Sequence, residues 1–371
     1  MNRRTAAVSA GVVAGALAAG VIGGALVRRR HPRDVEPLGP PPPEDLGPVE
    51  SFDGTQIAVR AAGDPEAPVV LLAHGFSLDM SSWWAVWPEL AKDFRVIALD
   101  LRSHGASGRA VHGDLSLRAM GRDLAAVLEA VAPDRRAVVV GHSMGAVAIL
   151  ALAEQRPELF GPCIAGVALI GAASSDLLWG AMGSVTELLR PRLGSLQAAA
   201  RRVDGLRRAV LASPTGLSGV VARVTQFGPN APKDVVDHVV ALAESTASEV
   251  WTDALPELME MDLRHAVPRV RVPAIVLVGE FDRVTPPAGA VALAGALPEG
   301  RLVVIPDAGH IPMLERPEAV VRELDGFARA VLLPAPRSRS RRRTPGAPKA
   351  KGPKAKGPKA GGPTEGREAA G

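Results

Sequence analysis

A single cysteine, Cys163, is present among 371 residues. With one thiol the chain can build neither an internal disulfide scaffold nor a cysteine-ligated zinc cluster. Tyrosine is absent and aromatic residues make up only 3% of the chain, so no reaction that needs a phenol as acid or nucleophile is open to it. Lysine is scarce. It supplies seven of the 43 basic residues, and five of those lie in the last 23 positions. The apolar fraction is nevertheless 47%, which excludes a wholly disordered chain and allows a sizeable core.

The net charge of +4 conceals an asymmetry. Residues 1–33 hold six arginines and no acid, residues 334–371 carry +9, and −11 is left for residues 34–333. The middle of the chain is acidic and its ends are basic. An acidic domain cannot neutralise phosphates along a groove, so no specific nucleic-acid partner is expected.

Thr5 to Val27 is a run of 23 uncharged residues bracketed by Arg3-Arg4 and Arg28-Arg29-Arg30. Its length predicts a single-pass anchor, associated with membrane lipid and with the flanking arginines on the cytoplasmic face. The composition is mild, with eight Ala, five Gly and only two Leu, so insertion would be marginal. A cleaved secretory peptide, and hence a secreted protein, is the rival reading. Residues 34–48 contain Pro40-Pro41-Pro42-Pro43 and read as a stiff spacer. From Pro334 onward Pro, Gly, Ala, Lys and Arg dominate without apolar period, which predicts a disordered tail able to meet anionic surfaces nonspecifically.

Between the ends, residues 49–333 read as one domain. The runs 69–73, 94–99, 137–140, 166–170, 274–278 and 302–305 are apolar but for Arg95, as suits strands buried on both faces of a parallel sheet. Helical stretches such as 117–131 and 317–333 alternate with them, giving an α/β class with helices on both faces. The alternation breaks at about 172–262, a stretch rich in Ala, Leu, Val and Arg, which reads as a helical cap inserted between two strands.

The sharpest chemical signal is Gly141-His142-Ser143-Met144-Gly145, a G-x-S-x-G between a strand and a helix. A serine hydroxyl needs a base, and the base needs an orienting acid. Of the histidines downstream, His238 falls in the insertion and His265 precedes Pro268, whereas His310 follows the last strand at the carboxyl edge of the sheet. Asp282, just beyond the preceding strand, is the candidate acid, and Asp176 is its rival at the strand before the cap. Asp100 and His104 lack a third ligand, so no metal is expected, and no phosphate or dinucleotide fingerprint follows a strand.

These motifs resemble the α/β-hydrolase superfamily, and within it the group of single-domain esterases, cofactor-free haloperoxidases and meta-cleavage hydrolases. The likeness runs from Val49 to Leu333 and includes His74-Gly75-Phe76 and the run from Asp100 to Ser107, in which Ser103 stands where a glycine is usual. The resemblance implies an oxyanion hole from the backbone N–H groups of Phe76 and Met144, a Ser143-His310-Asp282 triad and no cofactor. Aspartate-nucleophile relatives are disfavoured by Ser143, and epoxide opening lacks its tyrosine acids. A small-molecule carboxylic ester is the expected substrate. Carbon–carbon hydrolysis or perhydrolysis by the same triad, and a silent binding module presented at a membrane, are the alternatives. Trp83, Trp84 and Trp87 are candidates for the pocket entrance, with packing of a short helix as the other reading.

Overall fold

Residues 38–175, 217–247 and 249–333, together with Gly362, are described by a computed structural model. The chain divides into two units, Met1–Pro334 and Ala335–Gly371, and every element below belongs to the first. The tail's expected disorder and Asp176 lie outside the described residues.

Eight strands form one sheet: β1 Glu44–Glu50, β2 Gln56–Ala62, β3 Val69–Ala73, β4 Arg95–Leu99, β5 Ala137–His142, β6 Ile164–Ile170, β7 Ala274–Gly279 and β8 Gly300–Ile305. Their order is β1-β2-β4-β3-β5-β6-β7-β8, with the β1–β2 and β2–β4 pairs antiparallel and the others parallel. Every residue of β3 through β7 is buried, so their apolar character on both faces is what the fold requires. Alternate residues then feed two separate layers. Leu71, Val139, Leu169 and Val276 point to one layer, and Val70, Val138, Ile170 and Leu277 to the other.

The labelled helices are α1 Leu117–Val131, α2 Met144–Gln155, α3 Leu217–Gln226, α4 Lys233–Ser245, α5 Leu255–Glu260, α6 Pro287–Ala296 and α7 Pro317–Leu332. Ser116 starts α1 by accepting the Ala119 N–H at 3.1 Å. Met120, Leu124, Val127 and Leu128 then fall on one face at helical spacing and are buried against the first layer. Helices α2 and α6 pack on the same layer, while α7 covers the second through Val320, Leu324 and Phe327. Full burial of one such leucine or phenylalanine stabilises the fold by roughly 1.5–3 kcal/mol.

The stretch between β6 and β7 is helical where it is described, in α3, α4, a π-helical turn at Val250–Ala254, and α5. Its two ends meet: Ser175 and Asp262 form an antiparallel bridge, and the Leu263 N–H donates to Ser174 O at 2.8 Å.

Two expectations change. The spacer read over 34–48 ends earlier, because β1 begins at Glu44. Before it, Arg60 donates from Nε to Pro42 O at 2.5 Å and from Nη2 to Pro43 O at 2.7 Å, so these prolines are laid along the domain. The single-pass membrane localisation is corrected as well. Among the described residues no helix is long and apolar enough to cross a membrane. The longest, α7, has 16 residues, about 24 Å at 1.5 Å per residue, against a hydrocarbon core of about 30 Å. The run 5–27, on which the anchor was read, lies outside the described residues.

Candidate active site

Strand order reverses at β3, which has β4 on one side and β5 on the other. Open α/β sheets place ligands at the carboxyl ends of strands flanking such a point. The turn that follows β5 there is Ser143, with φ 49° and ψ −113°, a conformation rarely adopted by residues with a side chain. It is tolerated because its surroundings leave no other path. A Cβ at Gly145 would sit 2.6 Å from the carbonyl oxygens of Ala73 and His74, and one at Gly141 would sit 2.5 Å from Ala146 N. The Ser143 N–H is fixed by Ile170 O at 2.8 Å.

The hydroxyl of Ser143 donates to His310 Nε2 at 3.0 Å, and His310 Nδ1–H donates to Asp282 Oδ2 at 2.9 Å. All three groups are buried, Ser143 the least at 7% exposed. With a carboxylate facing Nδ1, the proton sits there and Nε2 is left as an acceptor. The loops bearing Asp282 and His310 are strapped together by the Phe281 N–H donating to Ala308 O at 2.8 Å. Burial alone would push the Asp282 carboxyl up. The charge and hydrogen bond of His310 outweigh it, with bonds from Thr285, and hold it below the usual range.

Thr285 gives two of those bonds, from its hydroxyl to Oδ2 at 2.6 Å and its N–H to Oδ1 at 2.8 Å, while the Val284 N–H adds a third at 2.9 Å. An aspartate followed two and three residues later by such donors is a side-chain-closed turn, which the sequence Asp282-Arg283-Val284-Thr285 could have signalled. His142 also escaped assignment. Its Nε2–H donates to His310 O at 2.8 Å, and burial drives its pKa down to about 3, so it is a neutral brace behind His310.

The His74-Gly75-Phe76 loop lies against the elbow, since a Cβ on Gly75 would fall 3.2 Å from Ser143 Cβ. Met144 opens α2, so its N–H is among the helix-end donors without an intrahelical partner. His74 braces the loop: Nδ1–H donates to Gly75 O at 2.8 Å and Nε2 accepts the Leu101 N–H at 2.9 Å. Burial keeps the ring neutral, with a pKa of about 4, so its 3.8 Å approach to Asp100 is not an ion pair. In the Asp100–Ser107 loop, Ser103 adopts φ 61°, which explains why a glycine is comfortable at that position.

The other candidates fall elsewhere. His238 is buried beside Ser81, with Nε2 3.4 Å from Oγ, and His265 donates to Glu154 at the surface. Trp83 is wholly buried in the second layer, so the packing reading holds for it, whereas Trp84 and Trp87 line a surface groove with Pro40 and α7. Asp100 has both oxygens taken by the N–H groups of Met80 and Ala106 at 2.7 Å each. Among the described residues no group of three or more His, Cys, Asp or Glu side chains could hold a metal ion.

An eight-stranded, mostly parallel sheet with a strained serine turn at its switch point defines the α/β-hydrolase class. The profile of the Alpha/beta hydrolase family matches residues 70–323, and the chain belongs to that family. It is 28% identical to an uncharacterised protein of Mycobacterium tuberculosis over 81% of this chain and 85% of that one. A pimeloyl-[acyl-carrier protein] methyl ester esterase of Vibrio atlanticus is 26% identical over 71% of this chain and 95% of its own length. Among solved structures, a thermophilic esterase from Thermogutta terrifontis is similar at TM-score 0.63 and 28% identity, covering 78% of this chain and 100% of that one. An enol-lactonase from Burkholderia xenovorans is similar at TM-score 0.60 and 25% identity, covering 74% and 97%.

Proposed function

We propose that this hydrolase cleaves carboxylic esters of small molecules through an acyl-enzyme on Ser143. The observation that carries the reading is the unbroken chain of hydrogen bonds from Ser143 Oγ through His310 to Asp282 at 3.0 and 2.9 Å. Ser143 Oγ attacks the ester carbonyl as Nε2 of His310 takes its proton, and the carbonyl electron pair moves onto oxygen. The N–H groups of Phe76 and Met144 receive that oxyanion, each donor lowering the barrier by roughly 3–4 kcal/mol. Collapse breaks the acyl–oxygen bond, and the leaving alkoxide takes the proton from Nε2. Water then repeats the sequence on the acyl-enzyme, releasing the acid and restoring the hydroxyl. Asp282 keeps the proton on Nδ1 and stabilises the imidazolium as it forms.

Esters are favoured over carbon–carbon bonds because, of the four relatives named, the three whose activity is named are an esterase, a methyl ester esterase and an enol-lactonase, and a lactone is an internal ester. Turnover of a p-nitrophenyl ester series of rising acyl length, with the wild type and Ser143→Ala, tests the reading. Ser143→Ala should fold normally and lose all but a few per cent of turnover, and it should not react with a fluorophosphonate probe that labels the wild type. A variant retaining substantial turnover refutes the assignment. A wild type that fails to label is a silent fold.

A further inference from the structure

The loop that carries His310 is held by a carboxylate that no step above uses. Glu315 ends the single helical turn Pro312–Glu315 and is 3% exposed. Its Oε1 accepts the N–H of Gly309 at 2.9 Å and of Ile311 at 3.3 Å, the two residues flanking His310. Its Oε2 accepts the N–H of Gly228 at 2.7 Å, in the connection between α3 and α4 of the cap. The His310 N–H itself donates to Gln226 O at 2.6 Å, at the end of α3. The two backbones touch with nothing between them: a Cβ on Gly309 would lie 2.4 Å from Gln226 O and 2.5 Å from Phe227 C.

A carboxylate buried in an apolar turn is unfavourable unless its charge is met by donors. Burial pushes the Glu315 carboxyl up, opposed chiefly by backbone N–H groups drawn from two separate parts of the chain and then by the charge of Arg316. Such an arrangement fixes those parts relative to one another. We propose that Glu315 is a positioning residue through which the seating of the cap sets the placement of the His310 imidazole, so that base and cap engage as a unit. The proposal rests on the reading of His310 as general base. Displacing a reacting group by about 1 Å through a remote change lowers rates by around 10²-fold.

Glu315→Gln preserves shape and one acceptor oxygen for the Gly309 and Ile311 donors, but turns an NH₂ toward the Gly228 N–H, donor against donor. On a p-nitrophenyl ester it should lower kcat by about 10- to 100-fold, with circular dichroism unchanged. The downfield proton resonance of His310 Nδ1–H should broaden or disappear. In a His310→Ala background the same substitution should have no further effect on residual turnover, because the group it positions is gone. A His310→Ala variant within tenfold of wild type overturns the base assignment. If His310→Ala is inactive as expected, but Glu315→Gln is silent, or acts equally in both backgrounds, the coupling is overturned instead. Glu315→Asp, one methylene too short to span both sides, carries the same expectation should the glutamine variant not fold. In the unmutated protein the amides of Gly228, Gly309 and Ile311 should exchange with deuterium at one shared opening free energy, and exchange of Gly228 more than tenfold faster than the other two speaks against the proposal.

Discussion

Asp100 and Asp282 sit in like surroundings and behave in opposite ways. Each lies in a loop beyond the carboxyl end of a parallel strand, each is almost wholly buried, and each accepts two backbone N–H groups. Each also has a histidine beside it. His74 offers Asp100 a nitrogen that is already accepting the Leu101 N–H, so no proton lies between them. His310 offers Asp282 an N–H. Burial, with the charge of Asp79, accordingly raises Asp100 to about 7, while the charge and hydrogen bond of His310 overcome burial and lower Asp282. An aspartate next to a histidine is thus an acid–base pair only when the other ring nitrogen leaves the proton facing the carboxylate.

The comparison breaks most visibly in activity. Asp282→Asn should lower kcat by roughly 10³–10⁴, because an amide stabilises the wrong tautomer. Asp176→Asn, the rival, should stay within about tenfold, or about 1.4 kcal/mol of barrier. Asp100→Asn should likewise leave kcat within about tenfold, while one of its two N–H partners loses its acceptor at roughly 1–3 kcal/mol of stability. Steady-state kinetics on one activated ester, with thermal melts, separates these outcomes, and a large kcat loss in Asp100→Asn would erase the distinction drawn here. Thr285→Val removes one donor to Asp282 and should reduce kcat by about three- to tenfold.

The smallest effect is in the pH dependence of stability, and its signs differ. Asp282 has a lowered pKa, so its stabilisation is present above pH 3.8 and is lost as the pH falls through its folded value. Asp100 is raised, so its contribution is fullest below pH 3.8 and is eroded as the pH climbs toward about 7. The melting temperature of Asp282→Asn should approach wild type on acidification. That of Asp100→Asn should approach it as the pH rises to 7, the shifts being about 2–4 °C per kcal/mol. Parallel curves for the two variants would contradict the assignment of opposite shifts.

Strands buried on both faces were plain in the amino-acid order. The run 69–73 is β3 itself, and 137–140 lies at the start of β5. Strands β1 and β2 were not legible. They sit at the antiparallel edge, expose alternate residues such as Gln56 and Glu50, and β1 is interrupted by a register shift between Asp45 and Pro48. Ser143, Asp282 and His310 could be read because each follows a recognisable strand at one sheet edge. His142 and Glu315 could not be given roles, because their partners are backbone groups, as in the Gly228 N–H met by Glu315 from 87 positions away. A lone acid among Ile311, Met313 and Leu314 was the sole mark that Glu315 left in the sequence.

The bridge between Ser175 and Asp262 makes the insertion an exchangeable cassette. The chain leaves β6 and returns toward β7 through one gate, so a different insertion could be grafted between these two residues without changing a single strand neighbour or either loop of the Asp282–His310 pair. Besides covering the apolar underside now met by Phe227 and Val235, the graft must repeat the cap's backbone contacts to the His310 loop, among them the carbonyl of Gln226 that accepts the His310 N–H. It must offer a bare backbone N–H where Gly228 stands, or Glu315 is left half-satisfied in a dry turn. Chimeras between relatives should therefore sort into active and inactive by those backbone contacts before acyl preference is even measured.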